Sequence, residues 1–172
     1  MKAITIIWCK PYSKQKNEQM NQVKIRPYKD SDWQRLCEIH DKARMDELRL
    51  SVGKEAFLTL EQTFKSEGLF DGKVLIATIK DIQVGFVAYQ PEEITWLYVH
   101  PTYYRRGIGR KLLQAALKSC QSKVSIVLLV ENLPALYLYQ SIGFKVIARK
   151  KGKLSGNKQF DAEAAILVLD TS

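Results

Sequence analysis

The stretch that most narrows the folds open to this chain is residues 93–113, EITWLYVHPTYYRRGIGRKLL. It begins as a strand. Ile94, Trp96 and Tyr98 on one parity, and Thr95, Leu97 and Val99 on the other, are β-branched, aromatic or aliphatic, as in a strand covered on both faces. His100-Pro101 ends it, because proline cannot donate to a central ladder. A turn carrying Arg105, Arg106, Gly107 and Gly109 follows. Then Ile108, Leu112, Ala115, Ala116 and Cys120 recur at helical spacing, with Leu113 and Leu117 widening the stripe. A strand, a glycine-bearing turn and a helix in this order present unpaired backbone N–H groups at a helix N-terminus, where the dipole favours an anion. Two glycines let a ligand approach the backbone, and Arg105, Arg106, Arg110 and Lys111 crowd the same end. The segment reads as a seat for a polyphosphate. It is neither of the two best-known seats, since GxxxxGK[ST] and GxGxxG are both absent.

Composition limits the rest. At 172 residues, 46% hydrophobic and 10% aromatic, the chain is one globular domain with room for a core. No apolar run approaches the roughly 20 residues of a membrane span, so no membrane association is expected. The formal charge is +9, a field that attracts anions of any kind: coenzyme A, RNA or an acidic protein surface. Its densest parts are residues 2–16 and 145–158, and the plain reading of both is a solvated face. Three cysteines (Cys9, Cys37 and Cys120) and two histidines (His40 and His100) show no metal-ligand spacing. They imply no metal, and they suit a reducing cytoplasm.

Taken in order, residues 1–22 read as an N-terminal extension, expected to be flexible, with an apolar run at 3–9, a polar linker at 10–22 and Met20 as the expected natural start. Residues 23–172 read as a single domain. A strand at 23–26 stops at Pro27, and Asp30 or Ser31 caps a helix whose inner side holds Trp33, Leu36, Cys37, Ile39, His40 and Ala43. A second helix is expected over 54–65, then a hairpin of 74–79 and 84–89 around Lys80-Asp81. After the phosphate-seat helix come a buried strand at 124–130 and a helix capped by Asn132 and closed by Gly143. Strands at 144–148 and 162–169 finish the chain, joined by a basic loop. The order β-α-α-β-β-β-α-β-α-β-β is an α/β (α+β) arrangement.

Two motifs in that order resemble the GCN5-related N-acetyltransferases (GNAT). The family's motif A, V-x-P followed by a [QR]-x-x-G-x-[GA] loop, is similar to Val99-His100-Pro101 and Tyr104-Arg105-Arg106-Gly107-Ile108-Gly109; Tyr104 stands where Gln or Arg is usual. Motif B, N-x-x-A-x-x-L-Y-x-x-x-G-F, is matched by Asn132, Ala135, Leu138, Tyr139, Gly143 and Phe144. The resemblance covers residues 23 to about 170. It implies the acyl-CoA N-acyltransferase fold: a central mixed, mostly antiparallel sheet, flanked by helices and splayed between its fourth and fifth strands. It also implies acetyl-CoA as co-substrate. The pyrophosphate would lie on Tyr104, Arg105, Arg106, Gly107, Ile108, Gly109 and Arg110, and the pantetheine arm would pair with a bulged strand at Leu97, Tyr98 and Val99. The Leu97 N–H would face the thioester oxygen, with Asn132 and Ala135 beside the arm.

Acetyl transfer to an amine needs a held donor, a deprotonated amine, a polarised carbonyl and a protonated leaving thiolate. The resemblance assigns the last role to Tyr139, which read on its own sits on an ordinary core face with Ala135, Leu138 and Ile142. For the base, Glu93 matches the start of the strand where histone acetyltransferases carry their glutamate. Glu92, Glu131, His100 and water are the rivals. A cysteine acyl intermediate is not expected, since Cys37 and Cys120 fall on apolar helix faces. The resulting expectation is an N-acetyltransferase (EC 2.3.1.-) acting on a small-molecule or protein amine by direct attack in a ternary complex. A non-catalytic acyl-CoA-binding module and a basic RNA- or ribosome-associated protein are the other classes. No aromatic residue interrupts the basic run 145–158, apart from its apolar flanks, which argues against nucleic acid. A homodimer stays open, and the acceptor's determinants are placed in residues 43–56 and 150–160.

Overall fold

The computed structural model describes residues 23–172; the extension expected at residues 1–22 lies outside them. Strands β1 (Val23–Pro27), β2 (Lys73–Ile79), β3 (Ile82–Gln90), β4 (Glu93–Val99), β5 (Lys123–Leu129), β6 (Lys145–Lys153) and β7 (Asp161–Asp170) form one sheet in the order β1-β2-β3-β4-β5-β7-β6. Every neighbouring pair is antiparallel except β4 and β5. Those two are parallel and touch through only Glu93 with Ser125 and Ile94 with Ile126, after which they part. The sheet is therefore mixed, mostly antiparallel and splayed, as expected.

A register irregularity explains how β4 serves two faces. Ala88 of β3 pairs with Trp96 and Tyr89 pairs with Ile94, so Thr95 is an extra residue. Ile94 packs in the cluster that includes Ile108, Leu112 and Leu113, with Leu97 and Val99 against it. Trp96 and Tyr98 turn to the opposite cluster, with Leu36, Ile39 and Phe86. The bulge thus sits at Thr95, upstream of the position expected at Leu97, Tyr98 and Val99.

Helix α1 (Trp33–Arg49) covers one face of the sheet, helped by the single turn α2 (Leu60–Thr63). Helices α3 (Ile108–Leu117) and α4 (Leu133–Gln140) cover the other, where Ile108, Leu112, Leu113 and Ala116 are fully buried. Truncating a buried leucine of this stripe costs about 2–5 kcal/mol.

Two expected elements differ. The helix expected over 54–65 is broken into a 3₁₀ turn, Lys54–Ala56, and α2, because Phe57 is extended and Thr59 starts afresh with a capping box to Gln62. Phe57 packs instead beside Leu48, Ala56, Leu129 and Leu154. The basic loop expected after residue 148 is mostly strand, since β6 continues to Lys153 opposite Asp161. A lysine-rich edge is ordinary for an outermost strand, and alternation alone did not reveal it. The Lys80-Asp81 turn is as expected: both residues take positive φ (48° and 64°), which suits a tight hairpin.

Candidate active site

The turn expected to seat a phosphate is shaped by backbone geometry. After β4, the His100 side chain accepts from the Thr102 N–H and caps a 3₁₀ turn, Pro101–Tyr103. Arg105 (φ 63°) and Gly107 (φ 75°) are left-handed, and α3 starts at Ile108. Among the described residues no backbone acceptor takes the N–H groups of Arg105 through Arg110; the first is satisfied at Lys111, which donates to the Gly107 carbonyl at 3.1 Å. Successive N–H groups turned one way make an anion-binding concavity. At Gly109 a Cβ would stand 3.2 Å from the Leu138 Cδ2, so glycine allows α3 to seat against α4. Arg106 lies over the Tyr103 ring at 5.1 Å. Arg110 is turned away: its guanidinium donates to the Ser141 hydroxyl at 2.6 Å and ties α3 to the end of α4. Tyr104 is exposed, and burial of its hydroxyl end, with Asp46 and Glu47 nearby, pushes it up to about 12.

The splay beyond Ile94 and Ile126 is where α4 enters. Asn132 caps α4, accepting the Ala135 N–H at 3.2 Å, with Pro134 in the first turn. Two turns on, Tyr139 is 6% exposed with its ring against Phe144. Burial first, and the Glu47 carboxylate second, push its hydroxyl well above the ordinary phenol value. It keeps its proton at any working pH, as a proton donor to a thiolate must. Tyr98 belongs to the strand expected to pair with the pantetheine arm, but its side chain faces α1, where its hydroxyl donates to Glu47 at 3.2 Å. Only its backbone is left for such pairing.

Glu47 and Arg44 of α1 complete this wall, and reading the sequence missed them. The Glu47 carboxylate accepts from Arg44 (2.7 Å), Tyr98 (3.2 Å) and the Asn132 amide (3.1 Å). A signal existed: Leu36, Ile39, His40 and Ala43 form an inward stripe, and Glu47 is its next position.

The rival bases lie apart. Glu93, half-buried, opens on a cleft of about 380 Å³ with Gln90, Pro91, Glu92, Gln121 and Ser125. Glu131 borders another cleft, of about 470 Å³, with Ser51, Val52, Leu129, Lys151, Asp161 and Glu163 among its walls. His100 is buried, lies 3.3 Å from Lys42, and is pushed below its ordinary value by burial, Arg35 and Lys42. It is a structural cap. Burial raises the Cys37 thiol to about 11 and the Cys120 thiol upward, so neither is a ready nucleophile. Cys9 lies outside the described residues. Among those described, no His, Cys, Asp and Glu groups are arranged to hold a metal, and no helix is long and apolar enough to cross a membrane.

A splayed mixed sheet, with a glycine-bearing turn at a helix start and a buried tyrosine at the gap, is the acyl-CoA N-acyltransferase fold. Comparison with known proteins agrees. Residues 70–146 match the model of the acetyltransferase (GNAT) domain. The chain is 26% identical over 140 residues to the uncharacterized N-acetyltransferase YafP of Escherichia coli K12, covering 80% of this chain and 91% of that protein. Its fold is similar to that of yncA, a putative acetyltransferase from Salmonella typhimurium solved with its cofactor acetyl-CoA (TM-score 0.66, 19% identity, 88% of this chain and 95% of that one). It is also similar to a GCN5-related N-acetyltransferase from Rhodopseudomonas palustris (TM-score 0.71, 20% identity, 86% and 94%). Residues 70–146 are thus similar to the GNAT acetyltransferase domain, and the fold is that of the acyl-CoA N-acyltransferases.

Proposed function

We propose that this protein transfers the acetyl group of acetyl-CoA to a primary amine by direct attack within a ternary complex. The observation that carries the reading is the alignment of an anion seat, Arg105 to Gly109, with a gap in the sheet whose wall holds a protonated, buried Tyr139. The backbone of Leu97, Tyr98 and Val99 would receive the pantetheine arm, the Leu97 N–H the thioester oxygen, and Asn132 and Ala135 the arm's far side. One Asn132 amide hydrogen is already given to Glu47, which leaves the second for the arm.

The acceptor side is the cleft of about 470 Å³. Its walls carry Glu131 and Glu163 against Lys151, with Asp161 paired to Lys153 at 2.7 Å, a mildly acidic recess on a chain of net charge +9. That contrast suits a cationic amine, from a small molecule or a protein. In the reaction the ammonium first loses a proton to water, since Glu93, the rival base, opens on the other cleft. The amine nitrogen then attacks the thioester carbon, the C–S bond breaks, and Tyr139 protonates the leaving sulfur. The free thiols of Cys37 and Cys120 suit the cytoplasm.

The test is thiol release from acetyl-CoA with a panel of polyamines, aminoglycosides, amino acids and peptides. Turnover with one class supports the reading. Tight acetyl-CoA binding without turnover on any amine would make the protein a binding module, and no binding at all would remove the reading. With the active amine in hand, the pH–rate profile of Glu93→Gln should overlay that of the wild type if water takes the proton; a rate lowered at pH 7 and partly recovered at pH 9 would give that role to Glu93 instead.

A further inference from the structure

Glu47 is a carboxylate at a position where the spacing of α1 asks for a core residue, and its side chain is 12% exposed. Burying a carboxylate costs several kcal/mol unless its partners compensate, whereas a leucine there would simply extend the stripe. Its partners are specific. Oε2 accepts from Arg44 at 2.7 Å and from the Tyr98 hydroxyl at 3.2 Å, and Oε1 accepts from the Asn132 amide at 3.1 Å. Its backbone carbonyl accepts the Ser51 hydroxyl at 2.9 Å, and Ser51 lines the acceptor-side cleft. One residue thus joins three parts of the site: the helix beside the acceptor cleft, the central strand at the splay, and the cap of the helix that carries Tyr139.

The Asn132 amide shows what this accomplishes. Its oxygen caps the Ala135 N–H, and its nitrogen is aimed by Glu47. An apolar residue at 47 would leave that nitrogen and the Tyr98 hydroxyl without their acceptor. The carboxylate accepts from three donors on three different elements, which suits it to holding groups in place.

We propose that Glu47 is a positioning residue of the transfer reaction, locking Asn132 and α4 against α1 and Tyr98 so that the acid and the acceptor cleft keep one fixed separation. The inference rests on the acetyl-transfer reading above. Its scale follows from the steepness of orientation effects, in which a displacement of about 1 Å costs on the order of 10² in rate.

The experiment compares the wild type, Glu47→Gln, Asn132→Asp and the double variant. Glu47→Gln puts an amide where Asn132 and Tyr98 both donate; the double variant restores one hydrogen bond with donor and acceptor exchanged. Expected are a fall in kcat of about 10- to 100-fold for Glu47→Gln, KM for acetyl-CoA within about threefold of wild type in that variant, and rescue as coupling: a double variant whose loss in kcat is at least about threefold smaller than the product of the two single losses. Calorimetry of acetyl-CoA binding and the melting temperature accompany the kinetics. An unchanged kcat in Glu47→Gln would overturn the inference while leaving acetyl transfer intact. Equal losses in kcat, coenzyme affinity and melting temperature, without rescue, would make Glu47 a plain stability residue and overturn it as well. A wild type inactive on every amine would remove the acetyl-transfer reading, and this inference with it.

Discussion

Replacing Tyr139 with phenylalanine deletes one oxygen and leaves the ring. The ring is buried against Phe144, with centroids 6.0 Å apart, and no hydrogen bond to its hydroxyl is found among the described residues. The expected cost to folding is therefore below about 1 kcal/mol, the scale of a typical hydrogen bond. The chemical cost is larger. Burial and Glu47 hold the hydroxyl in its protonated form, and a positioned general acid contributes about 10²–10⁴ in rate, or about 3–5 kcal/mol of barrier. The two scales separate cleanly. Thiol release with saturating acetyl-CoA and amine, followed from pH 6 to 9.5, should show kcat reduced by that factor at every pH, with melting temperature and coenzyme affinity unchanged. A Tyr139→Phe enzyme within about threefold of wild type would reduce the tyrosine to a core residue.

Gly107→Asp should abolish acetyl-CoA binding by calorimetry. It forces a side chain onto a backbone at φ 75° and places a carboxylate in the phosphate seat; unchanged affinity would move the seat elsewhere. Arg106→Ala should weaken binding less, by about 10-fold or under, since the backbone donors remain. Asp32 is 1% exposed and held by Arg26 at 2.7 Å, Gln83 and the Lys29 N–H, with Arg26 first among the causes that lower it from 3.8 to about 2. A depressed carboxylate stabilises the fold above its unfolded pKa and loses that contribution as pH falls through the folded one. Denaturant melts should therefore lose about 2 kcal/mol from this group between pH 4 and pH 2. Asp32→Asn should be less stable at pH 7 and flatter across that window, and a parallel pH dependence in the variant would sink the assignment.

Much of the site was legible because its signals are local. Gly107 and Gly109 are required by a left-handed turn and a close helix contact, and Asn132 and Pro134 write the start of α4 within three residues. Each is a backbone demand that a short window of sequence displays. The helix expected over 54–65 failed for the opposite reason. Its apolar spacing was compatible with a helix, and the choice was made by the pocket of Leu48, Ala56, Leu129 and Leu154 that Phe57 joins. The bulge was placed too late for a similar reason: Thr95 looks like any strand residue, and only its pairing with β3 marks it as extra.

By itself the sequence determined most of the order of elements, the glycine-bearing turn between β4 and α3 and the residue types of motif B, since periodicity, glycine, proline and caps act over a few residues. Tertiary structure alone decided where β4 and β5 part, which carboxylates face which cleft, and that Glu47 meets Asn132 across a separation of 85 residues. Nothing in the neighbourhood of either residue encodes that hydrogen bond. It exists because α1 and α4 pack on opposite faces of one sheet whose strands β4 and β5 part between them.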